Sequence, residues 1–264
     1  MRTAPKFGAR FVFQTRLYNM SKFFWVVLFH AVASPVLYLL AIGVGVGTLV
    51  DQNMGGEGVD GVRYLVFLAP ALLANAAVQS SIDETIFPTL GGFMWEKSFF
   101  AIRSTPLEGR QIALGVFLGA MFRNFFTIII YYGVLFAFGV MEGPRAWLTI
   151  PASFLAGAAF SAIMLAIAGG AKNEDNFFTF VGRFIIQPMF FLSGTFFPIE
   201  SMPIYLRWIG WISPLWHATD LGRYLSYGSP TPGWLVLVHL VILLAMTIGG
   251  LILSFRIFEK RLTK

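Results

Sequence analysis

The residues that most often perform chemistry in enzymes are sparse in this chain of 264 residues. It has no G-x-x-x-x-G-K-[ST] loop to cradle nucleotide phosphates, and no G-x-S-x-G or H-E-x-x-H motif. Its histidines, His30, His217 and His239, stand too far apart in the sequence to suggest a metal cluster, and there is no cysteine. We therefore predict a chain that is not an enzyme, hydrolyses no ATP itself and holds no metal.

Charges inside apolar segments are a second chemical signal, because a charge at membrane depth is costly and commonly serves transport. Arg123 and Arg183 are the charges that fall within apolar runs. Arg123 either belongs to a cationic route for an anionic headgroup or snorkels to the interface, and snorkelling is favoured for Arg183. His217, in the segment PLWHATD, could contact substrate, but a hydrogen-bonded structural role is the preferred interpretation.

The acidic residues have a different distribution from these arginines. All thirteen are expected in loops, turns or tails: Asp51, Glu57, Asp60, Asp83, Glu84, Glu96, Glu108, Glu142, Glu174, Asp175, Glu200, Asp220 and Glu259. Ion-coupled carriers commonly rely on a buried carboxylate, so this distribution argues against a secondary transporter. His30 and His239 do lie in apolar runs, however, and unwound backbone carbonyls can also bind sodium.

The composition indicates what positions these residues. With 57% hydrophobic and 12% charged residues, the chain is far less charged than a water-soluble domain, in which about 25% is usual. We predict an all-α integral membrane protein with spans at about 23–50, 64–80, 111–140, 147–170, 177–197 and 234–255. The net charge of +6 comes from basic residues at the ends of apolar runs, so it is a topology signal and not a nucleic-acid site.

Basic residues also predict the orientation. Most of them lie on the side of both termini, whereas Arg63, Arg145, Arg207 and Arg223 fall on the other side. The positive-inside rule then predicts that both termini are cytoplasmic and that residues 198–226 lie outside.

Residues 1–22 and 81–110 are the two predicted cytoplasmic elements. In the first, Phe13, Leu17 and Met20 fall at i, i+4 and i+7, which favours an amphipathic interface helix over a loosely ordered tail. In the second, Pro88 and the Gly91–Gly92 pair are expected to end the second span's helix. A short helix with Trp95, Phe99 and Ile102 on one face follows and stops at Pro106, which suits docking to a partner.

Residues 190–224 combine apolar sequence with Pro198, Pro203 and Pro214, and with the tryptophans Trp208, Trp211 and Trp216. Backbone in hydrocarbon must be helical unless protein covers it, so this spacing predicts short helical pieces near the lipid boundary. Tryptophan suits that depth because its ring is apolar with a polar edge.

With six spans, a structured loop after the second and a proline-broken region after the fifth, the chain resembles the membrane subunits of type-2 ABC exporters. The resemblance covers nearly the whole length. Its most specific motifs are LSGTFFPIESMP and PLWHATDLGR, together with EKSFFAIRSTPLEGRQIALG in the loop after the second span. These segments are most similar to the branch of nodulation lipo-oligosaccharide and drug export permeases.

The resemblance implies a permease that lies in a bacterial inner membrane, in contact with lipid, and pairs with a second permease chain, which we expect to be identical. Two copies of a separate ATPase would bind ATP and Mg, and this chain would bind neither. It assigns coupling to the ATPase to Met94, Trp95, Glu96, Phe99, Ile102 and Arg103, and the interface helix to Arg10, Phe13, Arg16 and Leu17. The resemblance assigns the translocation path or gate to Arg123, Phe190, Phe191, Ser193, Phe196, Phe197, Pro198, Pro214 and His217. It also implies that residues 198–226 form short re-entrant helices on the outer side.

The expected cargo is a lipid-linked oligosaccharide or an amphipathic drug-like molecule, moved outward. Long polymers are less favoured, because the aromatic residues are spread over every span without a periodic stripe. Two other functions stay open: an ion-coupled secondary transporter, and a non-transporting membrane assembly factor.

Overall fold

The computed structural model describes residues 7–54, 58–141, 143–173, 177 and 179–263. Within these ranges the regular structure is helical, apart from one isolated bridge between Val59 and Val62, so the all-α prediction is confirmed. Some residues used in the sequence predictions lie outside the described ranges: residues 1–6 of the expected interface helix, and Glu57, Glu142, Glu174 and Asp175.

Eleven α-helices are used below as labels. They are α1 (Ala9–Lys22), α2 (Phe24–Tyr38), α3 (Thr48–Asn53), α4 (Tyr64–Leu90), α5 (Ser98–Arg103), α6 (Gly109–Ala137), α7 (Thr149–Gly170), α8 (Gln187–Leu192), α9 (Ile204–Ile212), α10 (Pro214–Ser226) and α11 (Gly233–Leu262). The π-helical segment Leu39–Gly47 joins α2 to α3, Gly91–Trp95 extends α4, and Val181–Ile186 leads into α8.

Five continuous helical segments among the described residues are long and apolar enough to cross a membrane. They are Phe24–Asn53, Tyr64–Trp95, Gly109–Ala137, Ala146–Gly170 and Gly233–Leu262. In the predicted fifth span, residues 177 and 179–180 are helical and are followed by the continuous helical run Val181–Leu192, which covers roughly 18 Å at 1.5 Å per residue. Its helix ends at Leu192 and not near residue 197, since Gly194 turns the chain with φ +69°.

α4 is the central helix of the bundle. In the most apolar 18-residue stretch of its segment, 83% is buried. In the corresponding stretches of the segments that contain α2 and α11 only 17% is buried, so these two segments lie at the periphery. α7 packs between α4 and α11. Close approach is possible there because Gly250 lies against the backbone of Ala162, where a Cβ would come within 2.7 Å.

The second span continues further than the sequence predicted. Its helix does not end near Ser80 but runs through Pro88 to Leu90 and on to Trp95. Ile82, Ile86 and Leu90 repeat every fourth residue and are buried in the core, so packing favours helix where the glycines suggested a break. Residues 81–95 of the expected loop are therefore part of the bundle.

We call the end of the bundle that holds α1, α5 and the C-terminal turns of α11 the terminal end. Residues 198–227 lie at the opposite end and are called the distal region. α10 begins there with Pro214 at its first position and Ser213 as its N-cap, whose Oγ accepts from the backbone N–H of Leu215.

Candidate functional site

A cluster of four charged side chains connects α1, α4 and α6. Arg123 Nη1 donates to Glu84 Oε1 at 2.7 Å, and Arg123 Nη2 donates to Asp83 Oδ2 at 3.1 Å. Arg16 Nη2 donates to the second oxygen of Glu84 at 3.2 Å. The side chain of Glu84 is only 9% exposed, so these pairs lie within the bundle. We call Arg16, Asp83, Glu84 and Arg123 the ion cluster.

The ion cluster corrects two expectations from the sequence. Asp83 and Glu84 are not loop residues, because the continuation of α4 carries them inside the bundle beside Arg123. Arg123 is thus neither an isolated cation nor a side chain that reaches only for the interface. The positions of the acidic residues along the chain therefore give no argument against an ion-coupled carrier.

A helix is present over the predicted interface segment, α1, and it packs along α6. Val12 is buried and lies so close to Gly115 that a Cβ on this glycine would collide with it, and the ring of Phe13 contacts that of Phe122 at 6.1 Å. Leu17 lines an apolar groove beside α2. These three residues join α1 to the bundle, whereas the guanidinium of Arg10 lies over the Phe11 ring of the same helix at 4.9 Å.

The predicted coupling segment divides into an anchored part and an exposed part. Phe99 is 5% exposed and its ring packs against Phe93 and Phe258, at 5.0 and 5.7 Å. Arg103 donates to the carbonyl of Leu107 at 3.1 Å and lies 3.7 Å from Glu259 of α11. Trp95 is 49% exposed, Met94 and Ile102 are partly buried, and Glu96 is exposed.

Trp95 and Phe99 do not share one helical face, contrary to the sequence prediction. Lys97 has a positive φ of 54°, which interrupts the helix between them, and α5 begins only at Ser98. The exposed aromatic residue of α5 is instead Phe100, at 41% exposure. In the sequence, only the adjacent pair Phe99–Phe100 indicated that one ring of α5 is exposed, because neighbouring residues of a helix point to different faces.

Six of the predicted path or gate residues lie at the C-terminal end of α8 and in the turn that follows it, whereas Pro214 and His217 lie in α10 and Arg123 lies in α6. The rings of Phe190, Phe191 and Phe196 contact one another at 5.2 to 6.2 Å. Ser193 is fully buried and donates to Ser213 Oγ at 2.7 Å, which ties this turn to the start of α10. Phe197 is 38% exposed, and Pro198 precedes the short helical turn Ile199–Ser201.

Arg223 is a functional candidate that sequence reasoning treated only as a topology charge. It is 4% exposed, and its Nη2 donates to the carbonyls of Gly194 and Thr195 at 2.7 and 3.3 Å. Its Nε donates to the carbonyl of Phe67 at 3.3 Å, and its guanidinium lies 3.6 Å from the Phe67 ring centroid. Burial lowers the pKa of Arg223, and the nearby Tyr227 and Asp220 act in the opposite direction and raise it by less. Nothing in the local sequence identifies these distant carbonyls.

His217 and His239 form a hydrogen-bonded chain that ends at Asp220. Their Nδ1 atoms are 2.7 Å apart, His217 Nε2 lies 3.0 Å from the Trp211 carbonyl, and His239 Nε2 lies 2.8 Å from Asp220 Oδ2. A carbonyl only accepts, so His217 Nε2 carries a proton and its Nδ1 must accept from His239.

Burial, and then the neighbouring His239, lower the pKa of His217 to about 4, so that the ring is neutral near pH 7. The sequence spacing of the two histidines gave no indication that they meet. Even so, the described residues contain no group of three or more His, Asp or Glu side chains arranged for a metal ion.

These features define the class of protein: a bundle of long apolar helices with charged side chains inside is typical of a polytopic membrane protein. Its family follows from comparison with known proteins. The model of the family described as "ABC-2 type transporter" matches residues 11–227, and the chain belongs to that family. The resemblance to type-2 ABC exporters is thereby confirmed, and the chain is the membrane permease of an ABC exporter.

Individual relatives agree with this assignment. The chain is 29% identical to nodulation protein J of Rhizobium leguminosarum bv. viciae, over 88% of this chain and 86% of the relative. It is also 29% identical to nodulation protein J of Rhizobium meliloti (strain 1021), over 87% and 84%. A shorter match, 35% over 80 residues, is to a probable multidrug ABC transporter permease, YbhR, of Escherichia coli (strain K12) and covers 29% of this chain and 22% of that one.

Proposed function

We propose that this permease works as a dimer of identical chains with two copies of a separate ATPase, which binds ATP and Mg. The complex exports an amphipathic molecule, either a lipid-linked oligosaccharide or a drug-like compound. The permease contributes the route and the mechanical linkage, and ATP hydrolysis in the partner supplies the energy.

One observation carries this proposal, an exposed aromatic ridge at the terminal end. Trp95 and Phe100 are 49% and 41% exposed, and the charged residues Glu96 and Lys97 are exposed between them. Aromatic residues with a charged rim are typical of protein docking sites. We call Trp95, Glu96, Lys97 and Phe100 the docking ridge and propose that it seats in a groove of the ATPase.

The anchoring of the ridge is what allows it to transmit force. Phe93, immediately before the ridge, stacks against Phe258 at 4.8 Å and lies under Arg261 at 4.1 Å. Arg261 also donates to the carbonyl of Gly169 at 2.6 Å, which links α11 to the end of α7. A displacement of the ridge therefore moves α4, α7 and α11 together. ATP binding acts by favouring one of two permease conformations.

The second copy is proposed to pack near the fifth span. In the helical run Val181–Leu192, Phe184 and Phe191 are 67% and 54% exposed. A large exposed apolar face on such a helix favours a protein neighbour as well as lipid. The basic residues of α1 and of the last turn of α11 support cytoplasmic termini in a bacterial inner membrane.

The names of the relatives support the cargo class. Seven of them are nodulation proteins and one is a probable multidrug permease. The sequence motifs shared with lipo-oligosaccharide exporters favour a lipid-linked oligosaccharide over a long polymer.

The test is co-expression of the tagged permease with the ATPase encoded beside it, followed by co-purification and ATPase measurement. Trp95→Ala, Glu96→Lys and Phe100→Ala should each weaken co-purification and uncouple ATP hydrolysis from export. Trp147→Ala is the matched control, since Trp147 is 58% exposed in the loop before α7, at the other end of the bundle. Full export by all three ridge variants would refute the docking assignment.

A further inference from the structure

A polar cavity of about 270 Å³ lies between α2, α4 and α6, next to the ion cluster. Asn75, Gln79 and Asp83 follow one another at intervals of four residues along α4 and form one wall of it. His30 of α2 and Thr127 of α6 form the opposite side. The cavity is therefore lined with hydrogen-bonding groups within the helical bundle of a membrane protein.

Two buried polar atoms at this cavity have no hydrogen-bond partner among the described residues. They are Ser80 Oγ and Arg123 Nε, and both residues line the cavity. Ser80 is only 4% exposed. Buried polar groups are almost always paired, so these two point to a hydrogen-bonding occupant.

An apolar groove of about 310 Å³ adjoins the cavity and shares Val27, Ala31, Arg123 and Thr127 with it. Its other walls are side chains of α1, α2 and α6, including Leu28, Phe126 and Ile130. From Phe122 to Ile130 the groove follows α6 for roughly 12 Å. The polar cavity and the apolar groove therefore lie directly beside each other, on the two sides of these shared residues.

The charge balance indicates which polar head fits. Arg16 and Arg123 face Asp83 and Glu84 within ion-pair distance, so the two cations are matched by two anions. An anionic head group would compete with Asp83 and Glu84 for the two arginines, and a cationic head group would be repelled by Arg123. An uncharged head with hydroxyl or amide groups can use the lining without leaving either charge unpaired.

We propose that this site binds a single-chain amphipath with an uncharged, hydroxyl- or amide-bearing head, its head in the cavity and its alkyl chain in the groove. Binding requires neither the ATPase nor the second copy. That the occupant is also the cargo rests on the exporter function proposed above.

The experiment uses the full chain in phosphatidylcholine nanodiscs without ATPase and a decyl β-glucoside that carries a photoreactive diazirine in its chain. Mass spectrometry of the labelled protein should place the label on groove residues such as Leu28 and Phe126. Unlabelled decyl β-glucoside should compete about tenfold better than decyl sulfate or decyltrimethylammonium. Equal competition by the charged amphipaths would overturn the assignment of an uncharged head.

Ser80→Leu fills the cavity and should reduce labelling about tenfold. Ser81→Ala is the matched control, because Ser81 Oγ donates to carbonyls of α4 and α7 instead. If Ser80→Leu does not fold, Asn75→Ala leaves the cavity open and should still weaken labelling. Labelling that is spread over all lipid-facing helices, or that neither variant changes, would overturn the proposal. Full export by the ridge variants, Trp95→Ala included, would refute the ATPase docking and leave this binding result untouched.

Discussion

The two buried polar regions of this bundle hold their arginines in different ways. In the ion cluster, Arg123 is paired with carboxylates from another helix, Asp83 and Glu84. In the distal region, Arg223 is bonded to backbone carbonyls of Phe67, Gly194 and Thr195. Side-chain pairs can exchange partners when helices slide, whereas backbone carbonyls cannot move independently of their segments. We infer that Arg223 locks the turn after α8, while the ion cluster permits rearrangement between α1, α4 and α6.

Replacing Arg223 should have the largest effect on stability. Arg223→Met leaves three carbonyls without their donor and removes the contact with the Phe67 ring. At about 1 kcal/mol per lost bond and about 1–2 kcal/mol for the cation–π contact, we expect a loss of about 4–5 kcal/mol. Reversible unfolding in mixed SDS micelles measures it. Arg223→Lys should recover only part of the loss, because an ammonium cannot reach all three carbonyls in the same way. A wild-type unfolding curve for Arg223→Met would show that this lock does not exist.

Replacing Arg123 should cost less than replacing Arg223. Arg123→Met leaves Asp83 and Glu84 without this partner, but Glu84 keeps Arg16 and Asp83 is 32% exposed. We expect a loss of about 2–3 kcal/mol in the same unfolding assay. The double variant Arg123→Met/Asp83→Asn should recover part of it, since the uncompensated charge is gone. If the double variant is less stable than Arg123→Met alone, the charge pairing is not the cause.

Acidification tests the distal region separately. The pKa of His217 is about 4 in the folded protein and about 6.5 in the unfolded chain, so the unfolded state binds more protons between these values. The contribution of His217 to stability is complete above pH 6.5 and is lost as the pH falls toward 4. Between pH 7 and 5.5 the loss should be about 1 kcal/mol. His217→Gln should lack this component of the pH dependence, measured as the difference between the two unfolding profiles. Parallel profiles for the two proteins would contradict the assignment.

The parts of the molecule that sequence could predict are those with local signals. Long apolar runs predicted the membrane helices, and the spacing of Pro198, Pro203 and Pro214 predicted short helical pieces, which are present as α9 and α10. Side-chain partners were beyond reach because they depend on tertiary packing. Arg123 meets Glu84 only because α4 continues past residue 80, and Pro88 with Gly91 argued locally for the opposite. His217 and His239 are 22 residues apart on different helices, and no periodicity links them.

An ordinary buried hydrogen bond sets the scale against which both polar regions are compared. Thr85 Oγ1 donates to Ser161 Oγ at 3.3 Å between α4 and α7, and both residues are fully buried. Thr85→Val keeps the shape of the side chain and removes the donor, so the expected loss is about 0.5–1 kcal/mol in the same assay. Ser161→Ala should cost a similar amount, and the double variant should cost less than the sum, because the two hydroxyls lose the same bond. Should Thr85→Val cost as much as Arg223→Met, the distal arginine would be no more than another buried hydrogen bond. The contrast between a locked distal region and a movable ion cluster would then have no energetic basis.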